Sequence, residues 1–137
     1  MIPESDKKRL EALANDIMNL DLRIFTCAIV SSPEGSDIAR AVRAEYQQTL
    51  RSLAPLTDGM AGHWMIRAFN SMEHLDAFRS KTKFVVAGRE TNTTLIFPLN
   101  LSKNLMVIMT IRIKTEATEI FEMVTRFIES SNLTLTA

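Results

Sequence analysis

Cysteine occurs once in 137 residues, at Cys27, so these residues form no intrachain disulfide and no paired-thiolate metal site. Glycine is nearly as scarce. Gly35, Gly59, Gly62 and Gly88 are too scattered for GxGxxG or GxxxxGK[ST], which excludes the usual phosphate-cradling loops. Net charge is absent as well: sixteen basic and sixteen acidic residues cancel, removing the electrostatic basis for nucleic acid or an anionic membrane as the main partner. No run approaches the ~18 apolar residues of a membrane span, and the N-terminus is charged where a secretory signal would be apolar. The lone thiol and these absences predict a cytoplasmic chain in a reducing compartment, with no membrane insertion and no nucleic-acid partner. The two histidines, His63 and His74, would sit roughly 16 Å apart on one straight helix at 1.5 Å rise per residue. They cannot share a metal, and no HExxH accompanies them. No metal and no cofactor are expected.

What the chain does have is apolar content, 46% of residues, enough at this length for one core and hence one domain spanning 1–137. The stretch from Lys83 to Ile113 organises it. Three apolar runs are separated by Gly88-Arg89-Glu90-Thr91-Asn92 and by Asn100-Leu101-Ser102-Lys103-Asn104, clusters that interrupt strands, so a three-stranded meander is predicted. In its last run Leu105, Val107, Met109, Ile111 and Ile113 alternate with Met106, Ile108, Thr110 and Arg112. Both sets are largely apolar until Arg112, which marks a central strand covered on one face by helices and partly covered on the other, as by a second subunit.

Earlier in the chain, Leu10, Leu13, Ala14, Ile17 and Leu20 recur at helical spacing with Lys7, Lys8, Arg9, Glu11 and Asp16 on the wet side, and Ser5 reads as the cap. Arg23 to Val30 is a continuous β-favouring run ending in Ser31-Ser32-Pro33-Glu34-Gly35, a type I turn composition. Ser36 to Leu53 carries two patterns. Ile38, Val42, Tyr46, Leu50 and Leu53 make a helical stripe that propensity favours; the competing reading is a short strand over Asp37–Arg43, hairpinned to the first. After Pro55, Thr57 or Asp58 caps a helix reaching about Arg79, and Thr115 caps a final helix buried through Ile120, Phe121, Val124, Phe127 and Ile128. Ser130-Ser131-Asn132 ends that helix, leaving Leu133–Ala137 either loose or as a short strand. The fold class is therefore α/β (α+β), with a single antiparallel sheet flanked by helices.

Chemistry-bearing residues are few. Cys27 lies mid-strand in an apolar run where a thiolate is disfavoured, so a small buried hydrophobe is the plain reading. Glu34, Glu73 and Glu90 read as solvated surface charges, and Arg67, Arg79 and Arg89 at most as a modest anion-binding edge. The expectation is a protein that is not an enzyme. The helix after Pro55 is richer: Ala61, Trp64, Met65, Ala68, Met72 and Leu75 lie along one side, while Met60, Ile66, Phe69 and Phe78 fall elsewhere on the wheel. A helix apolar on two sides packs on two surfaces, so Met60, Trp64, Ile66, Phe69 and Met72 are the candidate interface, and a homodimer is the predicted form.

The order of helix, strand, ambiguous segment, long helix, three-stranded meander and terminal helix resembles the roadblock/dynein light chain family and its longin and profilin-like relatives, over nearly the whole chain. The turn Ser32-Pro33-Glu34-Gly35 followed by Asp37–Arg43 is similar to the glycine turn and short second strand of that family. The resemblance implies a roadblock/profilin-like sandwich and a dimeric module that docks or regulates a small GTPase or scaffolds a complex; it supplies no catalytic residue. The sequence is also similar to a group of short archaeal proteins at Arg23-Ile24, Ala28-Ile29-Val30, Gly35, Pro98-Leu99 and Asn104-Leu105. A helical Ser36–Leu53 would instead suit a PAS- or GAF-type sensor binding a small apolar ligand between sheet and helix, a reading to which the eight methionines are congenial.

Overall fold

Alternating apolar residues in the last meander run make it the middle of the molecule. In the computed structural model, which describes residues 2–31, 37–46, 60–73, 81–101 and 105–136, this run is the strand Leu105–Ile111, with antiparallel partners on both sides. In chain order the elements are α1 (Glu4–Met18), β1 (Ile24–Ser31), β2 (Asp37–Val42), α2 (Met60–Glu73), β3 (Val85–Gly88), β4 (Thr93–Pro98), β5 (Leu105–Ile111) and α3 (Ala117–Ser130). Short 3-10 turns occupy Ala44–Tyr46 and Lys114–Glu116. The five strands form one antiparallel sheet in the order β2-β1-β5-β4-β3.

The pleat sends alternate residues to two apolar clusters. On one face Cys27, Ile29, Ala39, Ala41, Leu95, Phe97, Leu105, Val107, Met109 and Ile111 meet the buried stripes of α1 (Leu10, Leu13, Ala14, Ile17) and α3 (Ile120, Val124, Ile128). Phe121 of α3 stacks with Phe84 at 4.5 Å and meets Phe97 edge-on at 5.2 Å between ring centres, tying that helix to the meander. On the other face Val30, Ile96 and Met106 take Ile66 and Phe69 of α2. A register shift between Ile24 and Thr26 keeps Ile24 on the main face, since an extra residue in one strand restores the side from which the next side chain projects.

The segment from Asp37 to Val42 is a strand, so the helical preference for Ser36–Leu53 is wrong there. Ala39 and Ala41, at 4% and 3% exposure, pair with Ile29 and Cys27 and lie under α1. Tertiary pairing overrides propensity where small residues at alternate positions give a helix a flat bed. Residues 47–53 lie outside the described residues. Two caps are also corrected. Pro3, not Ser5, occupies the N-cap position of α1, and the 3-10 turn Lys114–Glu116 rather than a Thr115 cap leads into α3. The proposed caps Thr57 and Asp58 are outside the described residues. Pro98 closes β4 and pairs only with β5, its β3 side being empty of ladder partners. That placement suits a residue without an N–H. Among the described residues, no helix is long and apolar enough to cross a membrane.

Candidate interaction surface

Helix α2 rests on the sheet through Ile66, 1% exposed, and Phe69, 6% exposed. The sheet under them is Val30, Ile96 and Met106, with Ala28, Val85 and Ile108 half-buried alongside. Residues Arg67, Ala68, Asn70, Ser71 and Met72 are exposed. Met72, at 45%, is one of three large apolar side chains exposed among the described residues. The candidate interface thus divides. Ile66 and Phe69 belong to the core beneath the helix, Met72 to its outer side, and Met60 and Trp64 lie in α2 with side chains outside those described. The reason is helical phase: two apolar stripes compete for one sheet, and the branched and aromatic pair fills the bed above Val30 and Met106 better than Ala68. Sequence periodicity shows both stripes and does not say which one wins.

Beside α2, β3 is an edge of the sheet. Arg89 donates its backbone N–H to the Asn92 carbonyl at 2.9 Å. Alternation from that bonded pair points the N–H and C=O of Val86 and Gly88 away from β4. Among the described residues the outer side of β3 has no strand partner.

The charged groups sit elsewhere. At the sheet end where β1 begins and β5 stops, Arg23 bonds Asp21 at 2.8 Å, Glu116 at 3.1 Å and Glu119 at 3.0 Å, and Arg112 bonds Glu116 at 2.7 Å. Hydrogen bonds from Arg23 hold the Asp21 carboxyl at about 2, against the opposing effect of burial. Arg112 lowers Glu116 and Arg23 lowers Glu119, while the acids raise both arginines. Arg43 ties the end of α1 to the start of β1 with donors to the carbonyls of Met18 and Ile24, each at 2.7 Å. These arginines are clamps joining α1, β1, β5 and α3, and only the Asp-x-Arg spacing at Asp21–Arg23 offered a signal for one of them. Arg67 and Arg89 are both exposed, on α2 and in the β3–β4 turn; Arg79 is outside the described residues, as are Glu34 and His74. The side chains of His63 and Glu73 are likewise undescribed, and Glu90 is exposed.

Cys27 is fully buried, and desolvation pushes its thiol up to about 12. No group of three or more potential metal ligands occurs among the described residues. A groove of about 320 Å³ between α1 and β2 is lined by Lys7, Glu11, Asn15, Asp37, Arg40, Ile38 and Ala39, a charged lining unlike that of an apolar-ligand pocket.

No family model matches this sequence, and no curated protein sequence matches it. Solved structures do. MglB of Myxococcus xanthus superposes with a TM-score of 0.61 at 10% identity, covering 100% of this chain and 99% of that one. The Roadblock/LC7 domain from Streptomyces avermitilis gives 0.54 at 6% identity over 87% of this chain and 97% of its own. Profilin of Schizosaccharomyces pombe gives 0.57 at 13% identity, over 90% and 98%. The chain therefore has a roadblock-type, profilin-like α+β fold.

Proposed function

We propose that residues 1–137 form a single non-enzymatic interaction module that acts in the cytoplasm as a homodimer. The observation that carries this reading is the pairing of a β3 edge, open among the described residues, with an adjacent helix that exposes Met72 beyond its core contacts. An unpaired edge next to an apolar side chain is a surface that a second copy covers by strand addition and side-chain packing together. The near end-to-end likeness to MglB and the Roadblock/LC7 domain supports a module of this kind. Cys27 supports it too, because a buried thiol with so high a pKa is a poor nucleophile. Residues Met60 and Trp64 extend the interface along α2, with Ile66 and Phe69 fixing the helix from beneath. The dimer then docks a further protein, for which the roadblock resemblance points to a small GTPase.

Hydrogen exchange at two protein concentrations tests the surface directly. In a dimer the amides of Val86 and Gly88 gain protection as concentration rises, in step with the amides of α2. Fast, concentration-independent exchange at both positions would overturn the proposed edge.

A further inference from the structure

Asp6 is fully buried, although its neighbours Lys7, Lys8 and Arg9 are all exposed. A carboxylate out of water requires donors. Thr136, 130 residues away, supplies two of them. Thr136 gives its backbone N–H to both Asp6 oxygens, at 3.0 and 3.1 Å, and its hydroxyl to Oδ1 at 2.9 Å. Arg9 places Nη1 3.7 Å from Asp6 Oδ1 and donates to the Thr134 carbonyl at 3.1 Å. Leu135, between these anchors, and Leu133, just before them, lie half-buried on the main apolar cluster. The segment follows Asn132, whose φ of 53° is left-handed. It has the alternation of a strand, yet it joins no ladder. Side-chain anchors and two half-buried leucines hold it, and a segment held this way opens locally far below the free energy of global unfolding.

We propose that residues 133–136 are a releasable strap over a peptide-binding groove along α1. The groove's other occupant is an extended segment of a partner protein with the same chemistry: two leucine-like side chains two residues apart, then a backbone N–H and a hydroxyl delivered together to Asp6. The resident segment is the argument for that occupant, since it shows how side-chain spacing and paired donors satisfy the site. The apolar cluster beneath Leu133 and Leu135 gives such a segment its fit, and the buried carboxylate sets its register. Tethering gives the strap an effective concentration on the order of millimolar, so a partner segment binds well only when the strap is loosened. The groove lies on the α1 face of the sheet, opposite α2, and does not depend on the dimer reading.

The test uses the full chain, its Thr136→Val variant and the double variant Asp6→Asn/Thr136→Val, with a fluorescent peptide of sequence 131–137 as probe. Thr136→Val removes one hydroxyl donor to a carboxylate and nothing else of similar size, and Thr136 is exposed. Hydrogen exchange of the strap amides should accelerate about tenfold while exchange in β5 stays unchanged. Peptide affinity measured by anisotropy should rise by a similar factor over the parent, and Asp6→Asn in the same background should abolish it. Unchanged strap exchange in Thr136→Val would refute the latch. An opened strap with no gain in peptide binding, or binding indifferent to Asp6→Asn, would refute the groove.

Discussion

At the level of single residues, burial and charge pairing make opposite demands, and Cys27 and Arg23 show each. Cys27 has no polar duty; its thiol sits at 0% exposure between Ala41 and Met109 in the ladder. Native protein should react with a thiol reagent far more slowly than denatured protein, and Cys27→Ala should cost about 1–2 kcal/mol, as small core truncations do. Chemical denaturation with and without the substitution measures the cost. Arg23 instead gathers three carboxylates at the surface, where water screens each pair. Asp21 is held at about 2, below its ordinary 3.8. A carboxyl whose pKa is lower folded than unfolded adds stability above the unfolded value and loses it as pH falls through the folded one. Glu116 and Glu119 shift in the same direction. Arg23→Met should therefore lower Tm at neutral pH and make the further drop on acidification toward roughly pH 2 shallower than in the parent. An identical acid limb in both proteins would show that this clamp does not couple folding to pH.

Among the elements, those with one repeating signal were legible in the sequence and those with two were not. The alternation in Leu105–Ile111 and the stripe in α1 have single interpretations, and both elements lie where the periodicity puts them. Residues 37–42 fit helix and strand alike, and the deciding fact, a partner strand and an overlying helix that need small side chains, is tertiary. The two apolar sides of α2 posed the same problem, which hid the inward turn of Ile66 and Phe69 and left Met72 as the large apolar side chain exposed among the described residues of that helix. Asp6 was invisible for another reason: its hydrogen bonds from Thr136 cross 130 residues of sequence, and no local pattern connects the two. The bed under α1 makes a prediction of its own. Ala41→Leu should destabilise by about 1–3 kcal/mol through overpacking against α1, whereas the same change at exposed Ala68 should be nearly neutral. Urea midpoints of the two variants decide it.

For the molecule as a whole, the sheet is covered on one face by α1 and α3 and engaged on the other by α2, while its β3 edge stays open among the described residues. Edge and exposed helix thus lie together, and that combination is the basis of the proposed dimer. Met72→Glu should weaken association without unfolding, because the side chain it replaces is already partly in water. Val86→Pro should do so more completely. It removes an N–H that faces away from β4 and leaves the bonds of Val85 and Ala87 to that strand in place. The most direct measurement is the light-scattering mass of the full chain across the micromolar range, with Val86→Pro as the paired sample. The proposed dimer gives twice the chain mass for the parent and the chain mass for a folded Val86→Pro; a parent that stays at the chain mass throughout that range would contradict it.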